Sequence, residues 1–409
     1  MSFPQEEIST VANFTNGFPF KPEDWGNSGY PIIRIQNLSD PSKPFNRTER
    51  VVPEKYIVRK GDILVSWSAT IDVFEWELED SLLNQHIFKV EFDANKVDKL
   101  YFKMALKKTI NELIKFSHGS TMKHVVKKDF ESHKIPLPEK RDDQIRIATL
   151  LSRVEALIAT RKDNLRLLDE FLKSTFLELF GNPVLNNKGW DRKKIKDLVT
   201  EVKYGTSASA NGGKYKYLRM NNITYDGYWN FESIKFIDVD DSELNKYALK
   251  KGDLVFNRTN SKELVGKTAV YNFDELVVIA GYLIRLKVSK ENNPWYIWGY
   301  LNSSYGKRRI FNLCRNIVGM ANINAKELQA IPILKPPLVL QNQFATIVEK
   351  TESLKNHYQQ NLTELENLTE LENLYGTLSQ KAFKGELDLS CIPLNRGILS
   401  NDNFEVDTV

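Results

Sequence analysis

No proline or glycine interrupts the stretch from Asp142 to Phe180, which Gly181-Asn182-Pro183 then stops with a C-cap glycine and a breaker. Within it Ile147, Leu151, Val154, Ile158, Arg161, Leu165, Leu168, Leu172, Thr175 and Leu179 alternate steps of four and three. That rhythm is the narrow seam of a coiled coil and not the wider stripe of an ordinary surface helix. At ~1.5 Å per residue the helix would be on the order of 55 Å long. A long core helix would also fit this stretch taken alone. A second one, from about Leu338 to Lys384, makes the coiled-coil reading the better one. Its seam is expected to run through Thr351, Leu354, Tyr358, Asn361 and Leu365. A tandem hexapeptide, NLTELE at 361–366 and again at 367–372, then brings Leu368, Leu371 and Leu374 in steps of three, which overwinds a coiled coil locally. Deleting one copy restores the heptad alternation.

The sequence around each helix is also repeated. Tyr30 to Leu38 (YPIIRIQNL) reads as a strand, and Tyr217 to Ile223 (YLRMNNI) answers it. Lys60-Gly61-Asp62-Ile63-Leu64 returns as Lys251-Gly252-Asp253-Leu254-Val255, and residues 82–92 return as Val277 to Val288. A basic helix from Asp98 to Lys115 has Trp295 to Arg309 as its counterpart, and the loop His118 to His124 has Gly319-Met320-Ala321-Asn322. Gln144 follows Pro138 by the same six residues that separate Gln343 from Pro337. One unit of roughly half the chain is used twice. The expected fold is therefore α+β: two similar mixed α/β domains separated by two long antiparallel coiled-coil helices, related by a pseudo-twofold internal repeat. The expected boundaries are 1–140 and 184–337 for the domains, 141–183 and 338–386 for the helices, and 387–409 for a polar tail.

Composition excludes several classes. The 409 residues are 41% hydrophobic and 27% charged, ordinary for a soluble protein. With no apolar run near ~20 residues and no secretory leader in MSFPQEEIST, the expected location is the cytoplasm. Two cysteines, Cys314 and Cys391, cannot form a disulfide framework or a cysteine-rich zinc site. Charge is segregated: residues 96–141 hold twelve Lys/Arg against five Asp/Glu, whereas 349–409 hold five against eleven. Basic surface of that kind suits a polyanion and acidic surface a protein partner.

Catalytic apparatus is hard to find. Gly266-Lys267-Thr268 resembles the tail of a phosphate-binding loop, but Ser261 stands where the loop needs its first glycine. The five histidines show no metal-ligand spacing with each other or with cysteine, so no metal site is expected. No glycine-rich turn with a downstream acid marks a dinucleotide or methyl-donor site, and Lys335-Pro336-Pro337-Leu338 lacks the residues of an amino-methyltransferase motif. No catalytic residue is assigned.

Flat polar side chains that read base edges are present in both halves. The candidates are Arg34, Gln36, Asn37, Ser66 and Ser68 in the first, and Arg219, Asn221, Asn222, Asn257, Arg258, Thr259 and Asn260 in the second. Arginine reads guanine, and asparagine or glutamine reads adenine, through paired hydrogen bonds, while Lys123, Lys127 and Lys214 suit phosphates. Any one of these residues is more often a solvated loop residue. The cluster Asn257 to Asn260, just after a strand, is the strongest group.

Several longer segments carry a family resemblance: GDILVSWSAT at 61–70 with LLNQHIFKV at 82–90, FNRTNSKELVGKTAV at 256–270, IPLP at 135–138, FLELFGNP at 176–183 and QKAFKGEL at 380–387. Together they resemble the DNA-specificity subunit of type I restriction–modification enzymes over nearly all of 1–387. Two departures stand out: Ile331 to Gln343 has three residues more than the first copy, and the first copy has no counterpart of Gly189-Trp190-Asp191. The resemblance implies that each domain reads one half of a split, asymmetric site in double-stranded DNA, and that the helices set the spacer between the halves. It further implies a chain without catalytic residues or cofactors of its own. Two modification (methyltransferase) subunits using S-adenosylmethionine and two ATP- and Mg2+-dependent restriction subunits would be its partners. A methyltransferase or nuclease with an unrecognised site, and a coiled-coil adaptor that never touches DNA, are the alternatives.

Overall fold

The computed structural model describes residues 3–68, 71–116, 127–210, 212–317, 320–360 and 368–394. The chain divides into two compact units, one of Met1–Thr160 with Leu368–Val409 and one of Arg161–Asn367.

In the first unit the strands are β1 (Gln5–Glu7), β2 (Ala12–Asn16) and β3 (Tyr30–Ile33), after which the short helix α1 (Ile35–Ser39) leads to β4 (Asn46–Thr48). Then come β5 (Ile57–Val58), β6 (Ile63–Ser66), β7 (Asp72–Glu75), β8 (Ser81–Leu83) and β9 (Ile87–Phe92). The helices α2 (Lys99–Phe116) and α3 (Lys127–Ser132), the strand β10 (Lys134–Pro136) and the first half of the long helix α4 (Arg141–Phe180), which belongs to the second unit from Arg161 on, follow. One antiparallel sheet has the order β2-β9-β6-β7, and the second, β4-β3-β8-β5, contains the parallel pair β3–β8. β6 lies between two layers, so both of its faces are apolar. Ile63 and Val65 join the core formed with α2 and α4, and Leu64 joins the core shared with the second sheet.

The second unit repeats this plan. It contains β11 (Asp191–Lys194), β12 (Val199–Tyr204), β13 (Tyr215–Leu218), β14 (Lys235–Ile237), α5 (Asp241–Tyr247), β15 (Asp253–Asn257), β16 (Thr259–Asn260), β17 (Thr268–Tyr271), β18 (Val277–Ile279) and β19 (Leu283–Val288). The helices α6 (Pro294–Asn302) and α7 (Ser304–Leu313), the strands β20 (Arg315–Ile317) and β21 (Met320–Asn322), then α8 (Ala325–Gln329), β22 (Pro332–Lys335) and α9 (Leu338–Gln360) follow. The sheet β12-β19-β15-β17 matches the first sheet strand for strand. The sheet β14-β13-β18 matches the second, with the Ala248–Val278 bridge standing where β5 stands. The two faces of β15 divide as those of β6 do: Leu254 and Phe256 face the helices and Val255 faces the other sheet.

The repeat extends to single bonds. Gly61 and Gly252 both enter their strands at positive φ, 90° and 91°. Asp62 and Asp253 each accept the backbone N–H three residues back at 2.8 Å. A buried cation does the same work in both: Lys89 donates to Ile57 O, and Arg285 to Ala248 O.

Each unit also contains an antiparallel helix pair. The final helix, α10 (Leu368–Lys384), lies along the first part of α4: Tyr375 Oη donates to Glu155 Oε1 at 2.8 Å, while Ala382 and Phe383 share a core with Ile147 and Leu151. In the second unit Lys355 reaches Asp169, while Phe176 and Phe180 pack on Phe344. Along α4 the seam holds: Ile147, Leu151, Val154, Leu172 and Thr175 are buried and Ile158, Arg161, Leu165, Leu168 and Leu179 half-buried.

Other expectations are corrected. On α9 Leu354 is 48% exposed, and the seam passes through Gln341, Phe344, Val348, Thr351 and Lys355. Lys355 displaces Leu354 because Asp169 and the Tyr228 hydroxyl accept its ammonium at 2.5 and 2.7 Å. The Tyr358 side chain, all of Leu365 and Asn361–Asn367 lie outside the described residues, as does the His118–His124 loop. The Tyr30–Leu38 strand stops at Ile33, because Asn37 closes a helical turn. Trp295 to Arg309 is two helices broken at Ser303, and Met320–Asn322 is a strand. Gln341, not Gln343, is the counterpart of Gln144. Gln144 Oε1 accepts Asp98 N–H and its amide donates to Pro138 O, as Gln341 Oε1 accepts Asn293 N–H and its amide donates to Pro336 O. With Pro136 matched to Leu334 by the tyrosine hydroxyls that bond them, the second copy is one residue shorter here. The strand opened by Asp191 has its counterpart in β1: β11 pairs with β22 as β1 pairs with β10.

Candidate nucleic-acid interface

The base-reading candidates divide by burial. Asn37 and Asn222 are 1% and 0% exposed. Each accepts the N–H of an arginine three residues back, Arg34 at 3.2 Å and Arg219 at 2.9 Å, and each donates its amide to a carbonyl, of Lys43 and Asn230. Ser66 and Asn257 are buried at the ends of β6 and β15, where Ser66 Oγ accepts Asp72 N–H and Asn257 donates to Leu264 O. Thr259 is buried and accepts from Asn322 Nδ2 at 3.1 Å. Base contact by Asn37, Ser66, Asn222, Asn257 and Thr259 is therefore corrected. They are polar because a turn or a strand end inside the protein has donors and acceptors to satisfy.

The remaining candidates are accessible. Arg34 lies over the Trp25 ring at 5.2 Å, and Gln36 and Ser68 are half-buried. Arg219 Nη2 donates to Ser233 O at 2.7 Å, and the exposed Asn221 donates to Ser233 Oγ. Asn260 is half-buried and its side chain accepts Ser261 N–H. Lys127 is exposed 3.4 Å from Glu131, and Lys214 is exposed beside the Tyr215 ring. Lys123 lies outside the described residues.

Arg258 has the most developed setting. Its guanidinium lies 4.7 Å from the centroid of the Tyr204 ring, and Nη2 donates to Asn322 Oδ1 at 3.1 Å. Its backbone N–H donates to Tyr282 O, and both Tyr204 and Tyr282 are exposed, the latter 53%. A guanidinium held over an aromatic ring loses little further entropy when its free donors meet a base edge. The matching place in the first unit holds Trp67 and His86, with ring centroids 5.3 Å apart, and Gln85 Nε2 lies 3.1 Å from His86 Nε2. Gln85, His86, Tyr204, Tyr282 and Asn322 are missing from the candidates because only backbone pairing, not residue likeness, aligns them.

A cavity of about 430 Å³ in the second unit is lined by Asp169, Phe176, Tyr225, Tyr228, Trp298 and Lys307, among others. Burial pushes the Lys307 ammonium down to about 8, and the ammonium lies over the Tyr225 ring. Asp169 is already paired with Lys355, and the Asp226 carboxylate lies 3.9 Å from the Lys307 ammonium. Among the described residues no cluster of three or more His, Cys, Asp or Glu could hold a metal ion, and no helix is long and apolar enough to cross a membrane.

Comparison with known proteins follows the same lines. The family model of the type I restriction modification DNA specificity domain matches residues 1–168 and 187–367. The type I restriction enzyme EcoKI specificity subunit of Escherichia coli K12 is 24% identical, over 97% of this chain and 91% of its own. The MjaVIII specificity subunit of Methanocaldococcus jannaschii is 26% identical over 69% and 70%. The crystal structure of a type I restriction–modification S subunit from M. genitalium shares the fold, with a TM-score of 0.57 and 16% identity over 94% of this chain and 96% of that one. With two matched segments spanning most of its length, the chain belongs to the type I restriction–modification DNA-specificity family.

Proposed function

We infer that this chain is the non-catalytic DNA-recognition subunit of a type I restriction–modification complex, in which each unit reads one half of a bipartite, asymmetric site. The observation that carries this reading is the duplicated scaffold with unlike tips, half-buried at Trp67 and Arg258 and otherwise exposed: Trp67–Gln85–His86 in one copy and Tyr204–Arg258–Tyr282 in the other. Two copies of one scaffold bearing different side chains recognise two different short sequences. The chain recruits two modification subunits, which methylate adenine with S-adenosylmethionine, and two restriction subunits, which use ATP and Mg2+. It works in the cytoplasm, where chromosomal and incoming DNA are met.

Two measurements test this. The chain purified without partners is expected to bind duplex DNA with an affinity that falls steeply with salt, and neither to methylate nor to cleave it. The complex with its modification subunits is expected to methylate adenines within a split sequence, read out by mapping modified bases. Methylation or cleavage by the chain alone, or a continuous unsplit site, would sink the reading.

A further inference from the structure

The two units are an internal comparison, because backbone hydrogen bonds align them without reference to side chains. Gly17 and Gly205 correspond, since their N–H groups bond Ile87 O and Leu283 O. Phe18 and Thr206 correspond through bonds to Leu83 O and Ile279 O, and Asn84 and Ala280 through bonds to Ile33 O and Leu218 O. Gln85 therefore falls on Gly281 and His86 on Tyr282. The ends of β6 and β15, paired with Ile87 and Leu283, place Ser66 on Asn257 and Trp67 on Arg258. Trp67 N–H bonds His86 O as Arg258 N–H bonds Tyr282 O, so the same backbone bridge closes both tips. The ends of β2 and β12 place Asn16 on Tyr204.

This alignment sorts residues into two kinds. Arg34 and Arg219, Asn37 and Asn222, Gly61 and Gly252, Asp62 and Asp253, and Gly17 and Gly205 are identical pairs. At both Gly17 and Gly205 a Cβ would lie within 2.3 Å of a backbone carbonyl oxygen, so the scaffold fixes them. Trp67 and Arg258, Gln85 and Gly281, His86 and Tyr282, and Asn16 and Tyr204 differ in shape, charge and hydrogen-bonding capacity. Gln85, His86 and Tyr282 are exposed, yet all sit on a backbone fixed by the bridge. Residues identical in both copies cannot make two half-sites different, and residues that differ on a common frame can.

We propose that half-site discrimination resides in these two tips: Trp67, Gln85 and His86 in the first unit, and Tyr204, Arg258 and Tyr282 in the second. The Gln85 amide takes an adenine edge, with Trp67 holding the turn from behind through the His86 ring. Arg258, aimed by Tyr204 and Asn322, takes a guanine edge. Arg34 and Arg219 share a scaffold role, their backbone N–H groups closing the same turn on Asn37 and Asn222. The inference rests on the reading that each unit recognises one half-site.

The test uses the full chain assembled with modification subunits, with methylated adenines mapped across a genome. Gln85→Gly and His86→Tyr, each the residue that the second copy carries at that point, are expected to fold normally and to alter one half of the site. Arg258→Ala is expected to alter the other half, reducing discrimination at one base pair on the order of tenfold to a hundredfold. If the unaltered complex shows a split site and the assembled tip variants keep both halves, or change both at once, the inference is overturned while the half-site reading stands. If the unaltered complex shows no split site, both are overturned. Relaxed specificity from Arg34→Ala with unchanged specificity from Gln85→Gly would likewise move the reading away from the tip.

Discussion

At the scale of single residues, the main distinction lies between polar groups that the fold consumes and polar groups it presents. Asn222 spends its side chain on Arg219 N–H and Asn230 O with no exposed surface. Asn222→Ala should cost ~1–3 kcal/mol of stability, because it strands a partly buried donor and a partly buried acceptor. Urea unfolding would measure that loss, and the methylated sequence of the assembled complex should stay the same. A changed sequence with unchanged stability would make Asn222 a reader after all. Glu352 presents a different case. Burial, opposed by Lys355 and reinforced by Asp169, pushes its carboxyl up from the ordinary 4.5 to about 7. The folded state then holds the proton more tightly than the unfolded chain. The resulting stability is complete below pH ~4.5 and is lost as pH rises through about 7. Glu352→Gln should flatten this slope and be the more stable form at pH 8, by no more than ~3 kcal/mol. Parallel unfolding curves for the two proteins from pH 5 to 8 would count against it.

At the scale of elements, what was legible followed from backbone requirements. Gly61-Asp62 and Gly252-Asp253 announce the same turn because positive φ and an aspartate acceptor are needed wherever that turn occurs. The α4 seam was legible for a similar reason, since apolar residues alternating in steps of four and three mark one buried face of a helix. What was not legible depended on partners distant in sequence. Heptad counting puts Leu354 on the α9 seam, but Asp169 and Tyr228 draw Lys355 inward instead. Counting from Pro337 selects Gln343, whereas the bonds to Asn293 N–H and Pro336 O select Gln341. Of the tip residues Arg258 was among the candidates, whereas Trp67, Gln85, His86, Tyr204 and Tyr282 escaped because tryptophan opposite arginine, or histidine opposite tyrosine, carries no similarity to detect. The seam correction has a direct check. Val348→Ala should cost ~2–4 kcal/mol, since Val348 is fully buried in the helix–domain core. Leu354→Ala should change stability by ~0.5 kcal/mol or less, as exposed substitutions do. Equal losses at the two positions would restore Leu354 to the seam.

At the scale of the whole molecule, modularity depends on how a domain seats on its own helix pair. In the second unit that seat is the α6 face. Tyr296 stacks with Phe176 and meets Phe180 edge-on, and Trp298 donates to Gly227 O. Gly299 fits because a Cβ there would stand 2.7 Å from the Phe176 ring and 3.0 Å from that of Phe344. Phe176 and Phe344 lie outside the segment 184–335, so a transplanted domain must accept them as they are. Replacing 184–335 with the matching segment of a relative should therefore change one half of the recognition site and leave the other intact, provided that the donor keeps glycine at 299 and an aromatic at 296. Gly299→Val in the unaltered chain isolates the seat from the reader. It should destabilise by ~1–3 kcal/mol through overpacking, with the methylated sequence unchanged in whatever complex assembles. If donors with a larger residue at 299 transplant as readily as those with glycine, the domain does not depend on the α6 face for its position. If a well-seated transplant alters both half-sites, recognition is shared between the units and not divided between them.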